Sequence, residues 1–223
     1  MTPMDRLVIV GSGGHACSVL DVAYGSGQFA LVGLIDDFLP PGAERFGLPV
    51  LGSREKLAGI FGASEADAVF VAIGDNFARC SMARWIEAAV PAVRFATLVH
   101  PAAVVGRDVV IGRGTVLMPG AIVIAGSVIG EGCILNTACS LDHESSMGDW
   151  SSLAPGVVTG GGVTIGARSH IGLGANVVQQ VAVGDDTVIG AGSLVLNDVE
   201  AAVVAYGSPC RTIRGRAPEE PYY

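Results

Sequence analysis

The sequence predicts an α/β unit built on a parallel sheet, followed by a parallel β-helix, and three observations carry that prediction. Every sixth residue from Val105 to Val195 is apolar except Thr159, and the residue two places before each is small or β-branched. One large and one small inward position per hexad is the mark of a stacked parallel coil. Gly follows the large position at 106, 112, 130, 148, 160, 166, 172, 184 and 190, with Asn136 and Asp142 at two others. These residue types tolerate positive φ, so tight corners are expected there. Before the repeat, three short aliphatic runs each end in a Gly-rich or Asp-rich turn. A β-sandwich has uneven loops and would not keep one phase over such a length.

Taken in order, Arg6 to Val10 reads as a strand that leads into Gly11-Ser-Gly-Gly-His15 and a helix start. Such a turn brings backbone N–H groups to a phosphate at the positive end of a helix. Gly11, Gly13 and Ala16 nearly satisfy G-x-G-x-x-G/A, and Asp36 and Asp37 follow the next run where a ribose-binding acid is expected. A third strand, Ala68 to Ile73, ends in Gly74-Asp75-Asn76, and Phe77 to Ala89 has helical spacing through Phe77, Cys80, Arg84 and Ala88. Three such strand ends share the sheet edge at which open α/β folds bind nucleotides. The unit is long enough for one mononucleotide-binding half, so a nucleotide joined to another group is favoured over a redox dinucleotide. Phe95 to Pro101 connects it to the first coil, which gives units of 1–98 and 99–199 and a tail of 200–223.

A net charge of −8 and a pI of about 4.8 exclude a nucleic-acid binder and an anionic-membrane protein, since both need a basic face. Runs such as Leu7 to Val10 are far shorter than the roughly 20 residues that span a bilayer. No charged and apolar leader opens the chain, and a cytoplasmic location is expected. The cysteines, Cys17, Cys80, Cys133, Cys139 and Cys210, form no Cys-x-x-Cys pair. Cys133 and Cys139 fall on the small inward phase and read as packing rather than as nucleophiles.

Phase also separates the histidines. His143 lies two places after the inward Leu141, so it points outward at a corner, between Asp142 and Glu144. An imidazole beside a carboxylate is equipped to take a proton near neutral pH. His170, just before the inward Ile171, is expected to be exposed and structural, and His100 opens the repeat in a His-Pro turn. The tail carries Arg211, Arg214 and Arg216, which either cover phosphates or are solvated.

The repeat resembles the hexapeptide-repeat family, whose fold is a left-handed triangular prism with three hexads per coil. The order Gly-Gly-His15, Ile35-Asp-Asp, Ala72-Ile-Gly-Asp-Asn76, Asn136-Thr, Asp142-His-Glu144 and Ala205-Tyr-Gly-Ser-Pro209 is similar to that of the sialic acid O-acetyltransferase and nucleotide 4-amino-sugar N-acetyltransferase family. The resemblance covers essentially the whole chain. It implies a homotrimer with sites between adjacent prisms, acetyl-CoA along the coils and a nucleotide-linked amino sugar reaching down from the first unit. It further implies His143 as catalytic base and Glu144 as the acid beside it. Gly13, Gly14 and His15 then hold the pyrophosphate, Asp36, Asp37 and Gly74 the nucleotide, Asn136 lies near the reacting amine, and Asp142 is a further substrate-binding residue. Ser152, Gly161, Leu173 and Ala191 match the coenzyme groove. Two departures stand out, Cys17 where relatives often carry a basic residue and Ser152 where some carry a histidine.

The implied reaction is direct acetyl transfer to the 4-amino group of a UDP- or GDP-linked 4-amino-4,6-dideoxy sugar, with no metal. Three alternatives stay open on the residues: sugar O-acetylation, a metalloenzyme like the γ-carbonic anhydrases, and a non-catalytic nucleotide-binding scaffold. His143 and His170 are one and a half coils apart, which argues against their sharing one ion within a chain.

Overall fold

A computed structural model describes residues 4–222. The uninterrupted run Leu7 to Val10 is buried on both sides, as the central strand β1 (Asp5–Val10) of a sheet must be. After it come α1 (Gly14–Ser26), β2 (Phe29–Ile35), β3 (Glu44–Arg45), β4 (Leu48–Gly52), α2 (Leu57–Gly62), β5 (Ala68–Val71) and α3 (Asn76–Ala89). The sheet order is β3-β4-β2-β1-β5, parallel throughout except for the β3–β4 pair. Alternation along β1 divides the core. Leu7 and Ile9 pack with Val19, Leu20 and Ala23 of α1, while Val8 and Val10 pack with Leu57 and the α3 residues Ala83 and Ile86. The three expected strands are present. The hairpin β3–β4 and α2 were not foreseen, because they are short and Leu48-Pro-Val-Leu-Gly52 carries a proline inside the strand.

Helix α3 forms where the spacing predicted one. Its buried residues are Asn76, Arg79, Cys80, Ala83 and Ile86, whereas Phe77 is exposed. An arginine occupies a core position.

The repeat forms a prism whose hydrogen-bonded partners are eighteen residues apart, such as Leu117 with Leu135 and Leu135 with Leu153. Its first face holds strands from Leu98–Val99 to Val188–Ile189 and ends on Val203–Gly207. The second face runs from Val104–Val105 to Leu194–Val195, and the third from Val110–Ile111 to Ala182–Val183. The two inward positions form one continuous core, with Leu117, Leu135, Leu153, Ile171 and Ile189 among its large members and Cys133, Cys139, Val157 and Ala175 among its small ones. Inward hydroxyls do not go unpaired: Thr115 donates to Gly130 O, Ser127 to Asp142 O and Ser169 to Gly184 O. The connecting residues belong to both units, for Phe95 bridges to Val69 in the sheet and Leu98–Val99 pairs with Val116–Leu117 in the prism.

The corner glycines do a different job from the one expected. Positive φ falls three places after the large inward residue, at Asp108, Gly114, Gly120 and every sixth residue onward to Gly192, with Ala138, Glu144, Trp150, Arg168, Gln180 and Asp186 in the series. The glycines directly after the large residue keep ordinary φ, and what they lack is room. A Cβ on Gly112 would lie 2.4 Å from Gly130 O, and one on Gly166 2.4 Å from Asp185 N. Coils stack backbone to backbone at these points, which only glycine permits.

Candidate active site

A cavity of about 890 Å³ opens at the C-terminal ends of β1, β2 and β5, lined by Gly11 to His15, by Asp36 and Asp37, and by Gly74. Gly13 is the N-cap of α1 and gives it no side-chain cap; the Ala16 N–H turns back to Gly13 O at 3.1 Å, and Gly14 and His15, ahead of it in the first turn, line the cavity. Nothing lies within 4 Å of where a Cβ on Gly13 or Gly14 would stand. His15 Nε2 is the single buried side-chain nitrogen or oxygen that lacks a hydrogen-bond partner among the described residues. Burial, helped by the positive charge of Arg79, pushes its pKa down to about 4. A neutral imidazole with an unmet nitrogen therefore stands beside an uncapped helix start. Both features suit an anionic group.

Asp36 is less available than its position suggested. Its Oδ2 accepts from Ser12 N and Oγ at 3.1 and 2.5 Å, and its Oδ1 accepts from Phe38 N and Leu39 N at 2.8 and 3.2 Å. Four donors use the lone pairs of both oxygens, so this carboxylate shapes the turn. Asp37 pairs with Arg54, whose guanidinium lies over the Trp85 ring. Together they form the outer rim of the cavity.

A second cavity, about 280 Å³, lies on the first face and brings together Asn136, Ser152, Leu173 and Ala191 with His170, Tyr222 and Gly74. His170 corrects an expectation. It is only 7% exposed, its Nδ1 lies 2.8 Å from Ser152 Oγ, and its ring stacks on Tyr222. Burial next to Arg79 and Arg216 pushes its pKa down to about 4. The tail covers it through Tyr222: a residue one place before an inward leucine or isoleucine is exposed only where nothing packs on that face. Gly74 lines both cavities.

His143 stands apart from both. It occupies the edge between the second and third faces, with its side chain 56% exposed and Nδ1 3.1 Å from Glu144 Oε2. Glu144 sits at φ 54, the left-handed corner position of its hexad. The ring lies flat over the next coil, where a Cβ on Gly161 would come within 2.4 Å of Cε1 and Nε2. Asp142 Oδ1 accepts from the His143 backbone N–H at 2.7 Å, which fixes the turn. The expected coenzyme residues thus divide, Gly161 beside His143 and the other three across the second face beside Asn136. Neither buried cysteine of the prism is a nucleophile, since burial raises the Cys133 thiol and pushes Cys139 up to about 12.

Two functional-looking side chains escaped sequence reasoning. Arg79, fully buried, donates from Nε to Gly132 O at 2.8 Å, from Nη1 to Ile73 O and Gly74 O at 3.0 and 2.9 Å, and from Nη2 to Asn76 Oδ1 and Trp150 O at 2.7 and 2.9 Å. Asn76 Nδ2 donates in turn to Arg168 O and Ser169 O. Gly132, Trp150 and Arg168 occupy one edge in successive coils, so the pair clamps the strand-end loop to three rungs of the prism. An arginine in register with Cys80, Ala83 and Ile86 was the available signal. The tail supplies the other side chain, Tyr222.

The chain is similar to proteins of known family and structure. Residues 6–86 match the PglD N-terminal domain family. Almost the entire chain superposes on PerB from Caulobacter crescentus, solved in complex with CoA and GDP-perosamine, at 32% identity and a TM-score of 0.88, covering 95% of this chain and 99% of that one. The chain belongs to the hexapeptide acyltransferase family of nucleotide amino-sugar acetyltransferases. The acetyltransferase domain of PglB from Neisseria gonorrhoeae FA1090 is a further relative of known structure, 30% identical with a TM-score of 0.86 over 94% of this chain and all of that domain, 100%. A curated relative, galactoside O-acetyltransferase from Escherichia coli (strain K12), is 48% identical over 48 residues, 21% of this chain, and the match spans about a quarter of that enzyme, 24%. Family membership makes the prism left-handed. Among the described residues no helix is long and apolar enough to cross a membrane, and no group of three or more His, Cys, Asp or Glu side chains could hold a metal ion.

Proposed function

We propose that this protein transfers the acetyl group of acetyl-CoA to the 4-amino group of a UDP- or GDP-linked 4-amino-4,6-dideoxy sugar, in the cytoplasm, where acetyl-CoA is available. The observation that carries this reading is that Gly74 lines both cavities. A nucleoside diphosphate held at the strand ends, with its phosphates against Gly13, Gly14 and His15, leads its sugar across Gly74 toward Asn136. PerB, solved with CoA and GDP-perosamine, supports the choice of substrates.

The second face, exposing Val104, Ile122 and Val158, separates the Asn136 edge from the His143 edge. Turned toward a threefold axis, this face brings the Asn136 edge of one copy to the His143 edge of the next, a head-to-tail contact that closes at three. Acetyl-CoA then lies in the groove between them, against Gly161 on one side and Ser152, Leu173 and Ala191 on the other. In this arrangement residues 1–98 hold the acceptor, 99–199 the donor, and 200–223 close the far end.

The chemistry is direct attack. His143 takes a proton from the sugar ammonium, the amine nitrogen bonds to the thioester carbonyl carbon, a backbone N–H steadies the oxyanion, and the C–S bond breaks. The adduct nitrogen releases its second proton to water as the amide forms, and the thiolate takes the first proton back from the His143 imidazolium and leaves as CoA, while Glu144 and Asp142 hold the ring and its turn. Holding both substrates together supplies about 7 to 11 kcal/mol of such a barrier. The test is thiol release from acetyl-CoA with a panel of UDP- and GDP-linked amino sugars and of the matching sugars that carry a hydroxyl in place of the amine. Turnover confined to hydroxylated acceptors makes the protein an O-acetyltransferase, and nucleotide binding without any turnover makes it a scaffold.

A further inference from the structure

The chain ends in a strap. Val203–Gly207 and Cys210–Gly215 form an antiparallel pair at the far end of the first face. From there the chain turns back, held by the Arg214–Glu220 ion pair and by Arg216, whose guanidinium donates to Asp186 O and to Glu220 O. Tyr222 completes the return. Its hydroxyl donates to Gly74 O at 3.1 Å and accepts from Asn76 N–H at 3.0 Å, and its ring stacks on His170 with centroids 4.4 Å apart and planes 16° from parallel.

Asn76 is the first residue of α3, so its N–H has no acceptor inside the helix, and the phenol oxygen supplies one. Gly74 is the lip common to the two cavities, and Tyr222 is part of the wall of the smaller one. One hydroxyl thus fixes both sides of the loop over which a nucleotide sugar would pass. Arg214 and Arg216 are engaged within the strap and with the last coils, so they do not extend toward a phosphate.

We propose that Tyr222 is a positioning residue for the acceptor. Its hydroxyl sets the height of the Gly74–Asn76 loop, and the strap serves the nucleotide sugar rather than the coenzyme; this rests on the function proposed above. The variant Tyr222→Phe in the full chain keeps the ring on His170 and removes both loop hydrogen bonds. Expected results are an acceptor KM raised about fivefold, an unchanged acetyl-CoA KM, and UDP or GDP affinity weakened by a similar factor in titration calorimetry. Ending the chain at Pro218 has the same signature, and Tyr222→Ala exceeds Tyr222→Phe. An unchanged acceptor KM in Tyr222→Phe, or an acetyl-CoA KM that rises as much, overturns the proposal. If the unaltered protein turns over no amino sugar but Tyr222→Phe still weakens nucleoside diphosphate binding, the role of Tyr222 stands and the proposed reaction fails. If the unaltered protein binds neither UDP nor GDP, both fall together.

Discussion

His143 draws on three neighbours, each fixed by a different property of the coil. Glu144 reaches Nδ1 because its backbone is left-handed, the corner conformation that glycine holds in most other hexads. Gly161 leaves space for the ring, and Asp142 pins the backbone N–H. Replacing His143 by Asn should lower kcat at least about a hundredfold, with the melting temperature unchanged. Gly161→Ala is a sharper probe, since Gly161 has ordinary φ and the nearest atoms its new methyl meets are those of the imidazole. It should lower kcat by displacing the ring while leaving circular dichroism and nucleoside diphosphate affinity intact. Normal turnover in Gly161→Ala would mean that the observed ring position is not the working one. The sequence disclosed that His143 faces outward, because phase alone decides that. It did not disclose that Asp36 is consumed by its own turn, since the donors come from Ser12, Phe38 and Leu39, whose approach depends on the fold.

Helix α3 is the element that joins the two units. Its buried arginine, Arg79, makes five hydrogen bonds and none to a carboxylate, so the charge is stabilised by carbonyl dipoles from both the loop and the prism. Arg79→Met keeps the bulk and leaves those carbonyls unmet, and it should cost at least about 3 kcal/mol. Urea unfolding should then separate into two transitions as the sheet unit loosens from the coils; one unshifted transition would refute the clamp. The coils were legible residue by residue because each inward position is enforced by the coil above and below. The segment 44–62 was not, because β3, β4 and α2 are too short to develop a period. The corner glycines were legible as corners and misread as to cause, since a sequence cannot separate a need for positive φ from a need for close approach.

At the scale of the whole molecule, two expectations follow. The exposed second face makes Ile122→Glu a test of assembly. On the threefold assembly proposed above, sedimentation should shift from trimer to monomer, the proposed acetyl transfer should vanish, and nucleoside diphosphate binding should persist; an active monomer would exclude a site shared between copies. Stability should also depend on pH through His15 and His170, both held at about 4 against 6.5 for a free imidazole. Arg79 faces both, and Arg216 faces His170. The unfolded chain takes up protons below pH 6.5 that the folded one refuses until about 4, so stability is complete above 6.5 and falls through that window. His170→Gln should flatten the fall in melting temperature between those values, whatever its effect at neutral pH. Repeat columns generally tolerate the gain or loss of whole turns, because each turn touches only its neighbours. Here the strap makes the chain a closed circuit from the first sheet, along the column and back to Gly74. One extra turn would carry Tyr222 about 4.8 Å beyond its mark, so the number of rungs is counted at both ends, and insertions or deletions of eighteen residues that would pass unnoticed in an open solenoid should be rejected in this one.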